Sequence, residues 1–173
     1  MKTRLAVALM GLLAHLPLPL LRGLGWLLGR LLFVLAAPRR KVALRNLALC
    51  FPEVPEAQRR AWARATFVVF CQTFLDRSWL WAGSEALVRR RVKLVGAVHE
   101  LDGDTPTIVF APHFYSMDAG GLALPLNTER EFTSIFATNP DPALDAWFMG
   151  GRQRFGNVRM LNRADGVKPI IAS

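Results

Sequence analysis

The first carboxylate in this chain is Glu53, so the opening 50 residues carry eight basic side chains (Lys2, Arg4, Arg22, Arg30, Arg39, Arg40, Lys41 and Arg45) with no acid among them. Residues 5–21 form a run of 17 without a formal charge. Arginines lacking acidic partners are costly in a protein core and a long apolar run is costly in water, so this front end points to a lipid surface. The rest of the chain is ordinary by contrast. Of 22 lysines and arginines, 14 remain after residue 50 against 13 acids, which leaves residues 51–173 close to neutral. A hydrophobic content of 52% in 173 residues excludes intrinsic disorder. The near-neutral remainder also argues against nucleic acid as a partner, because little net field is left to attract phosphates.

A secretory signal peptide would share the basic start and the apolar middle. It fits poorly, because a second apolar stretch, residues 24–37, follows at once with Arg22 before it and Arg30 inside it, and no small-residue cleavage site separates the two. A helical span needs roughly 20 apolar residues, with a lower limit of about 17. Pro17 and Pro19 interrupt the first candidate near its end, so two helices, about 5–16 and 20–37, are as good a reading as one span. Arg22 and Arg30 fall on roughly one side of the second helix, as in a helix lying in the headgroup layer. The cluster Arg39, Arg40, Lys41 and Arg45 follows directly, where anionic headgroups of a cytoplasmic leaflet would attract it. A buried hairpin of a soluble protein is the competing reading. The division expected is an N-terminal membrane-anchoring helical segment, residues 1–38, and a globular domain, residues 39–173. Two cysteines in apolar contexts, Cys50 and Cys71, make no disulfide scaffold, and the isolated His15, His99 and His113 give no metal spacing, so neither metal nor cofactor is expected.

Pro55 and Glu56 read as a helix start, and an apolar stripe at Ala63, Phe67, Phe70, Phe74 and Trp81 carries the helix to about Ala82, with Arg60, Arg64 and Asp76 off the stripe. After the Gly83-Ser84 break come a short helix, residues 85–90, and a short strand, Val92-Lys93-Leu94-Val95. A turn cluster, Glu100-Leu101-Asp102-Gly103-Asp104, precedes Thr107-Ile108-Val109-Phe110-Ala111, a run of β-formers that suggests a strand buried on both faces. A helix near 118–125, a strand over 132–138, a loop at Asn139-Pro140-Asp141-Pro142, a helix near 143–154, a strand around 158–161 and a helix from about Asp165 complete the pattern. Strands alternating with helices imply an α/β sheet with crossover connections. Lys168-Pro169-Ile170-Ile171-Ala172-Ser173 runs on with no cap and no polar tail, which reads as the front part of a longer chain.

The candidate chemistry sits at His113-Phe114-Tyr115-Ser116-Met117-Asp118. Residues five apart lie about 140° apart on a helix and on opposite faces of a strand, so neither regular element lets the pair meet. A strand ending near Ala111-Pro112, a turn, and a helix beginning near Ser116 would let Asp118 reach back to the imidazole at the carboxyl end of a strand, where ligands gather in α/β sheets. His113 would then deprotonate a hydroxyl while Asp118 holds its tautomer. No Gly-x-Ser-x-Gly elbow is present, so the hydroxyl belongs to the substrate, and Ser116 as nucleophile is a weak reading. A helix cap beside a neutral histidine is the blander alternative.

The segment Ala-Pro-His-Phe-Tyr-Ser-Met-Asp after a hydrophobic run resembles the acyltransferase box of the bacterial lipid A biosynthesis acyltransferases, the lauroyl/myristoyl group of the wider glycerolipid acyltransferase-like class. Arg45-Asn46-Leu47 with Phe51-Pro52-Glu53, Asn139-Pro140-Asp141-Pro142, Gly151-Arg152-Gln153-Arg154 and Leu161-Asn162-Arg163-Ala164-Asp165 match in order. Many relatives carry Glu where this chain has Asp118. The resemblance implies a glycerolipid acyltransferase-like mixed sheet flanked by helices behind an N-terminal membrane-associated segment, incomplete at its C-terminus. It implies transfer of a fatty acyl chain from acyl-carrier protein to a hydroxyl of a lipid A precursor, at the cytoplasmic face of the bacterial inner membrane. By position Arg152 matches the family's functional arginine, with Arg154 close by and Arg163 a further candidate. Forked guanidinium groups suit the phosphates of the donor's phosphopantetheine or of the acceptor saccharide. Arg89, Arg90, Arg91 and Lys93 would dock the carrier protein or headgroups, or simply face solvent. Another lipid or glycolipid acceptor, and a non-enzymatic membrane-anchored binding module, are the alternatives.

Overall fold

The computed structural model describes residues 2–103 and 105–171. Asp104 of the expected turn cluster, and Ala172 and Ser173 of the uncapped ending, lie outside the described residues. By compactness the chain forms two units, Leu16–Asp76 and a second one made of Met1–His15 with Arg77–Ser173.

In the Leu16–Asp76 unit, Pro19 in the first turn opens α2 (Leu18–Leu35), since a missing N–H costs nothing there. Helix α3 (Ala37–Cys50) follows after one residue, with Pro38 in its first turn. Helix α4 (Glu56–Ala82) starts behind Pro55 and stops at Gly83, as the sequence suggests. Gly25 and Gly29 let α2 approach α4 closely: a Cβ on Gly29 would lie 2.4 Å from Val68 Cα, and one on Gly25 would lie 2.6 Å from Gln72 Cγ. Phe33, Ala63 and Phe67 form the buried centre, with the two rings edge to face at 5.4 Å. Three guanidinium groups, of Arg40, Arg60 and Arg64, ring Phe33 at 5.5 to 5.7 Å.

Two expectations about this front end change. Arg22 does have an acidic partner, 54 residues downstream: one terminal nitrogen lies 2.5 and 2.6 Å from the two oxygens of Asp76, which is buried rather than on an open face. Arg40, expected at headgroups, donates to the Phe33 and Val34 carbonyls at 2.5 and 2.7 Å and so closes the C-terminal end of α2. The apolar character persists elsewhere on α2, where Leu20, Trp26, Leu27, Leu31, Val34 and Leu35 are exposed. By length and composition Leu18–Leu35 is able to cross a membrane.

The other unit begins with α1 (Lys2–Leu13), which packs on α7 (Pro142–Arg152). The last turn of α4, α5 (Glu85–Arg91) and α6 (Met117–Leu126) supply buried Trp79, Leu80, Trp81, Val88, Leu122 and Leu126. Strands β1 (Phe132–Phe136) and β2 (Val158–Asn162) run parallel, Phe132 opposite Val158 and Phe136 opposite Asn162, with α7 as the crossover. This is the βαβ unit the alternation predicts. The whole is mostly helical with a small parallel sheet, an α/β arrangement.

Two expected strands are not formed. Val92-Lys93-Leu94-Val95 and Thr107-Ile108-Val109-Phe110-Ala111 take no regular secondary structure, and the second is not buried: Ile108 is 97% and Phe110 88% exposed. A β-former run becomes a strand only when a neighbour completes its hydrogen-bond ladder, and no described residue does so. Arg130 holds the approach to this stretch instead, donating to the carbonyls of Thr105 at 2.6 Å and Leu101 at 3.3 Å.

Candidate functional site

The site is organised by the turn into α6. Phe114 N–H donates to the Pro112 carbonyl at 2.8 Å, and Ser116 precedes the helix in the left-handed region (φ 65°, ψ 24°). This reversal starts the helix at Met117 and puts Asp118 in its first turn, as the sequence predicts, where the helix dipole favours a carboxylate.

The partners of Asp118 are not the expected ones. Arg77 Nε, from the last turns of α4, lies 2.8 Å from Asp118 Oδ2, and Arg152 Nε, at the end of α7, lies 3.5 Å from Oδ1. The His113 side chain is exposed, and among the described residues no hydrogen bond joins it to Asp118. Two guanidinium groups thus meet one carboxylate. The Asp118 side chain is 14% exposed, against 23% for Arg77 and 39% for Arg152.

Aromatic rings wall this cluster. Arg77 stands over Trp81 at 5.5 Å and Phe148 at 5.6 Å, and Arg152 lies over Phe148 at 5.3 Å. Trp81 meets Trp147 at 4.4 Å and Phe148 at 5.4 Å, edge to face. The close fit depends on Gly151, since a Cβ there would lie 2.3 Å from the Trp81 ring. Arg152 is thus carried on a helix end seated on tryptophan.

Arg154 is engaged elsewhere. It donates to the Leu80 carbonyl at 3.0 Å and to the Gly83 carbonyl, stacks on Phe155 at 4.6 Å, and burial pushes its pKa below the ordinary arginine value. This is a cap on the C-terminus of α4, not an open phosphate site. Arg163 is exposed on the turn Arg163–Asp165 after β2 and does not join the cluster. Of the basic run after Gly83, Arg89 pairs with Glu85 at 2.7 Å and Arg91 lies over Trp79 at 5.0 Å. The Asn139-Pro140-Asp141-Pro142 loop is a helix start: Asp141 accepts from the N–H groups of Ala143 and Leu144 at 2.9 and 3.2 Å and from the Thr3 hydroxyl. The Thr3 hydroxyl, then those backbone donors, hold its carboxyl below the usual carboxylate range. A cleft of about 550 Å³ is bordered by Glu85, Arg89, Asn127, Glu129 and Phe155 and includes no member of the Asp118 cluster.

Residues 2–173 match the model of the bacterial lipid A biosynthesis acyltransferase family. The chain belongs to that family. Among its relatives it is 27% identical over 166 residues to the lipid A biosynthesis lauroyltransferase of Escherichia coli K12, covering 94% of this chain and 53% of the relative. It is 31% identical over 158 residues to the lipid A biosynthesis myristoyltransferase of the same strain (90% and 47% covered), and 28% identical over 166 residues to a lipid A biosynthesis acyltransferase of Haemophilus influenzae (93% and 52%). This member therefore spans about half the length of the curated relatives it matches. No solved structure matches it significantly.

Arg77 was not among the residues expected at the site of this lipid A acyltransferase family member. Its signal was nevertheless in the sequence: position 77 follows Phe74 by three and precedes Trp81 by four, so an arginine interrupts the apolar stripe at a place where a core residue belongs.

Proposed function

We propose that the protein of which this chain is part transfers a fatty acyl group from an acyl-carrier-protein thioester to a hydroxyl of a lipid A precursor, at the cytoplasmic face of the bacterial inner membrane. The observation that carries this reading is the family match over residues 2–173, coupled to a His-x4-Asp segment whose Asp118 opens α6 beside two arginines. A glycerolipid acyltransferase-like sheet would extend from β1 and β2, with residues 1–38 as the membrane segment and 39–173 as the start of the acyltransferase domain.

In this reading His113 takes the proton of the acceptor hydroxyl as its oxygen attacks the thioester carbonyl. The tetrahedral intermediate collapses to the ester, and the leaving thiolate recovers the proton from the imidazolium. Asp118 orients and stabilises that imidazolium. Its contacts with Arg77 and Arg152 do not preclude this, since an ionised carboxylate offers about four lone-pair sites. Arg152 binds the anionic part of a substrate: its terminal nitrogens have no hydrogen-bond partner among the described residues, and a fork of donors suits a phosphate.

The test is His113→Ala in the full-length protein, assayed with acyl-carrier-protein donor and lipid A precursor. Turnover should fall by about 100-fold or more, the usual contribution of a positioned general base. Undiminished turnover in a normally folded variant would remove the assignment. An unchanged lipid profile in cells together with a lowered melting temperature would favour a binding module, and product mass spectrometry with other acceptors separates the lipid A reading from another lipid substrate.

A further inference from the structure

We infer that Arg77 is the positioning residue for Asp118, and that the two arginines of the cluster divide their work: Arg77 fixes the carboxylate and Arg152 meets substrate. This rests on the acyltransferase reading above.

The two contacts differ in kind. At 2.8 Å, the Arg77 Nε to Asp118 Oδ2 contact is a charge-assisted hydrogen bond of ordinary length, whereas 3.5 Å from Arg152 Nε to Oδ1 is at the outer limit of such a bond. Arg77 is also the less exposed arginine, 23% against 39%. Trp81 and Phe148 both lie against its guanidinium, so few rotamers are open to it. Arg152 has one ring neighbour, Phe148, and sits on the final residue of α7. A short, walled contact holds a group in place. A long, more exposed one leaves its donors for something else.

Aspartate needs such a holder. Its carboxylate turns about two side-chain bonds, and the χ2 torsion is broad. With Oδ2 tied to a guanidinium that cannot swing, Oδ1 stays directed to the Arg152 side, where an imidazolium and a substrate oxygen would also be served. Arg77 needs no contact with the reacting atoms for this. Its effect passes through Asp118.

The experiment is a double-mutant cycle in the full-length protein, with kcat and KM measured for acyl transfer from acyl-carrier protein to a lipid A precursor. Arg77→Gln should lower kcat about tenfold or more and move the acceptor KM by no more than about threefold, because an orienting contact reports in turnover rather than in binding. Arg77→Lys should recover part of the loss. In an Asp118→Asn background Arg77→Gln should cost less than about twofold further, since two residues acting as one unit are not additive. A kcat within about twofold of wild type in Arg77→Gln would overturn the inference, and so would losses that multiply in the double variant, which is the result for a scaffold residue independent of Asp118. If Arg77→Gln does not melt cooperatively, Arg77→Lys carries the same cycle, and its loss must vanish in the Asp118→Asn background. A wild-type protein that transfers no acyl group removes the functional reading and this inference with it. An active wild type with an indifferent Arg77 removes the inference alone.

Discussion

Asp76 and Arg77 are neighbours on α4, and each meets an opposite charge, yet the two ion pairs are built differently. Asp76, with its side chain 7% exposed, accepts at both oxygens from one nitrogen of Arg22, at 2.5 and 2.6 Å. Asp118 faces two arginines, one close and one at 3.5 Å, beside three aromatic rings. A close pair of this kind ties one helix to another. A carboxylate met by two arginines at different distances, the farther one the more exposed, is a different arrangement, and that contrast separates a structural ion pair from a candidate site better than residue type does.

The comparison breaks most visibly at Arg22. Replacing it with Met removes both Arg22 contacts from the buried Asp76, and should destabilise the protein by about 3 kcal/mol, the low end for breaking a buried pair because the Arg22 side is partly open to water. Denaturation in detergent measures this, and acyl transfer per folded molecule should be unchanged; a specific loss of activity would erase the distinction drawn here. Gly151→Ala comes next. Its new methyl must displace Trp81, at a cost of about 1–3 kcal/mol for overpacking, and the shift should also raise KM through Arg152. A stability loss with no kinetic change would show that Arg152 does not depend on this seat. The smallest effect is at Asp141. Its native pKa lies below its unfolded one, so its stabilisation is complete above the unfolded value of about 3.9 and is lost as pH falls through the native value. Thr3→Val should flatten the acid slope of stability, and an unchanged slope would mean the hydroxyl contributes nothing to the cap.

Local signals were the legible part of the fold. Proline marked the start of α2, proline and glycine the two ends of α4, and alternating β-formers with a helix between them marked β1, α7 and β2, because these depend on neighbours in sequence. Helix α3 was not anticipated: Arg39, Arg40, Lys41, Arg45 and Asn46 interrupt any apolar face, and none of its residues is buried. The run at Ile108 and Phe110 has the composition of a central strand, but pairing is a property of two segments, and composition describes one. The site divides the same way. Asp118 and its helix turn were readable from spacing, whereas its meeting with Arg77, 41 residues away, depends on how α4 and α6 pack. The place of Arg154 was hidden for a related reason: its closeness to Arg152 in sequence conceals that its side chain turns to the Leu80 and Gly83 carbonyls.

Ser116 is the sole non-glycine with positive φ among the described residues. Holding a side chain in that conformation costs roughly 1 kcal/mol, which glycine would avoid. Glycine would also give the turn many more conformations to visit. Serine therefore makes the link between His113 and Asp118 less comfortable but more decided: whenever this segment loosens, it has fewer ways to wander and a shorter path back.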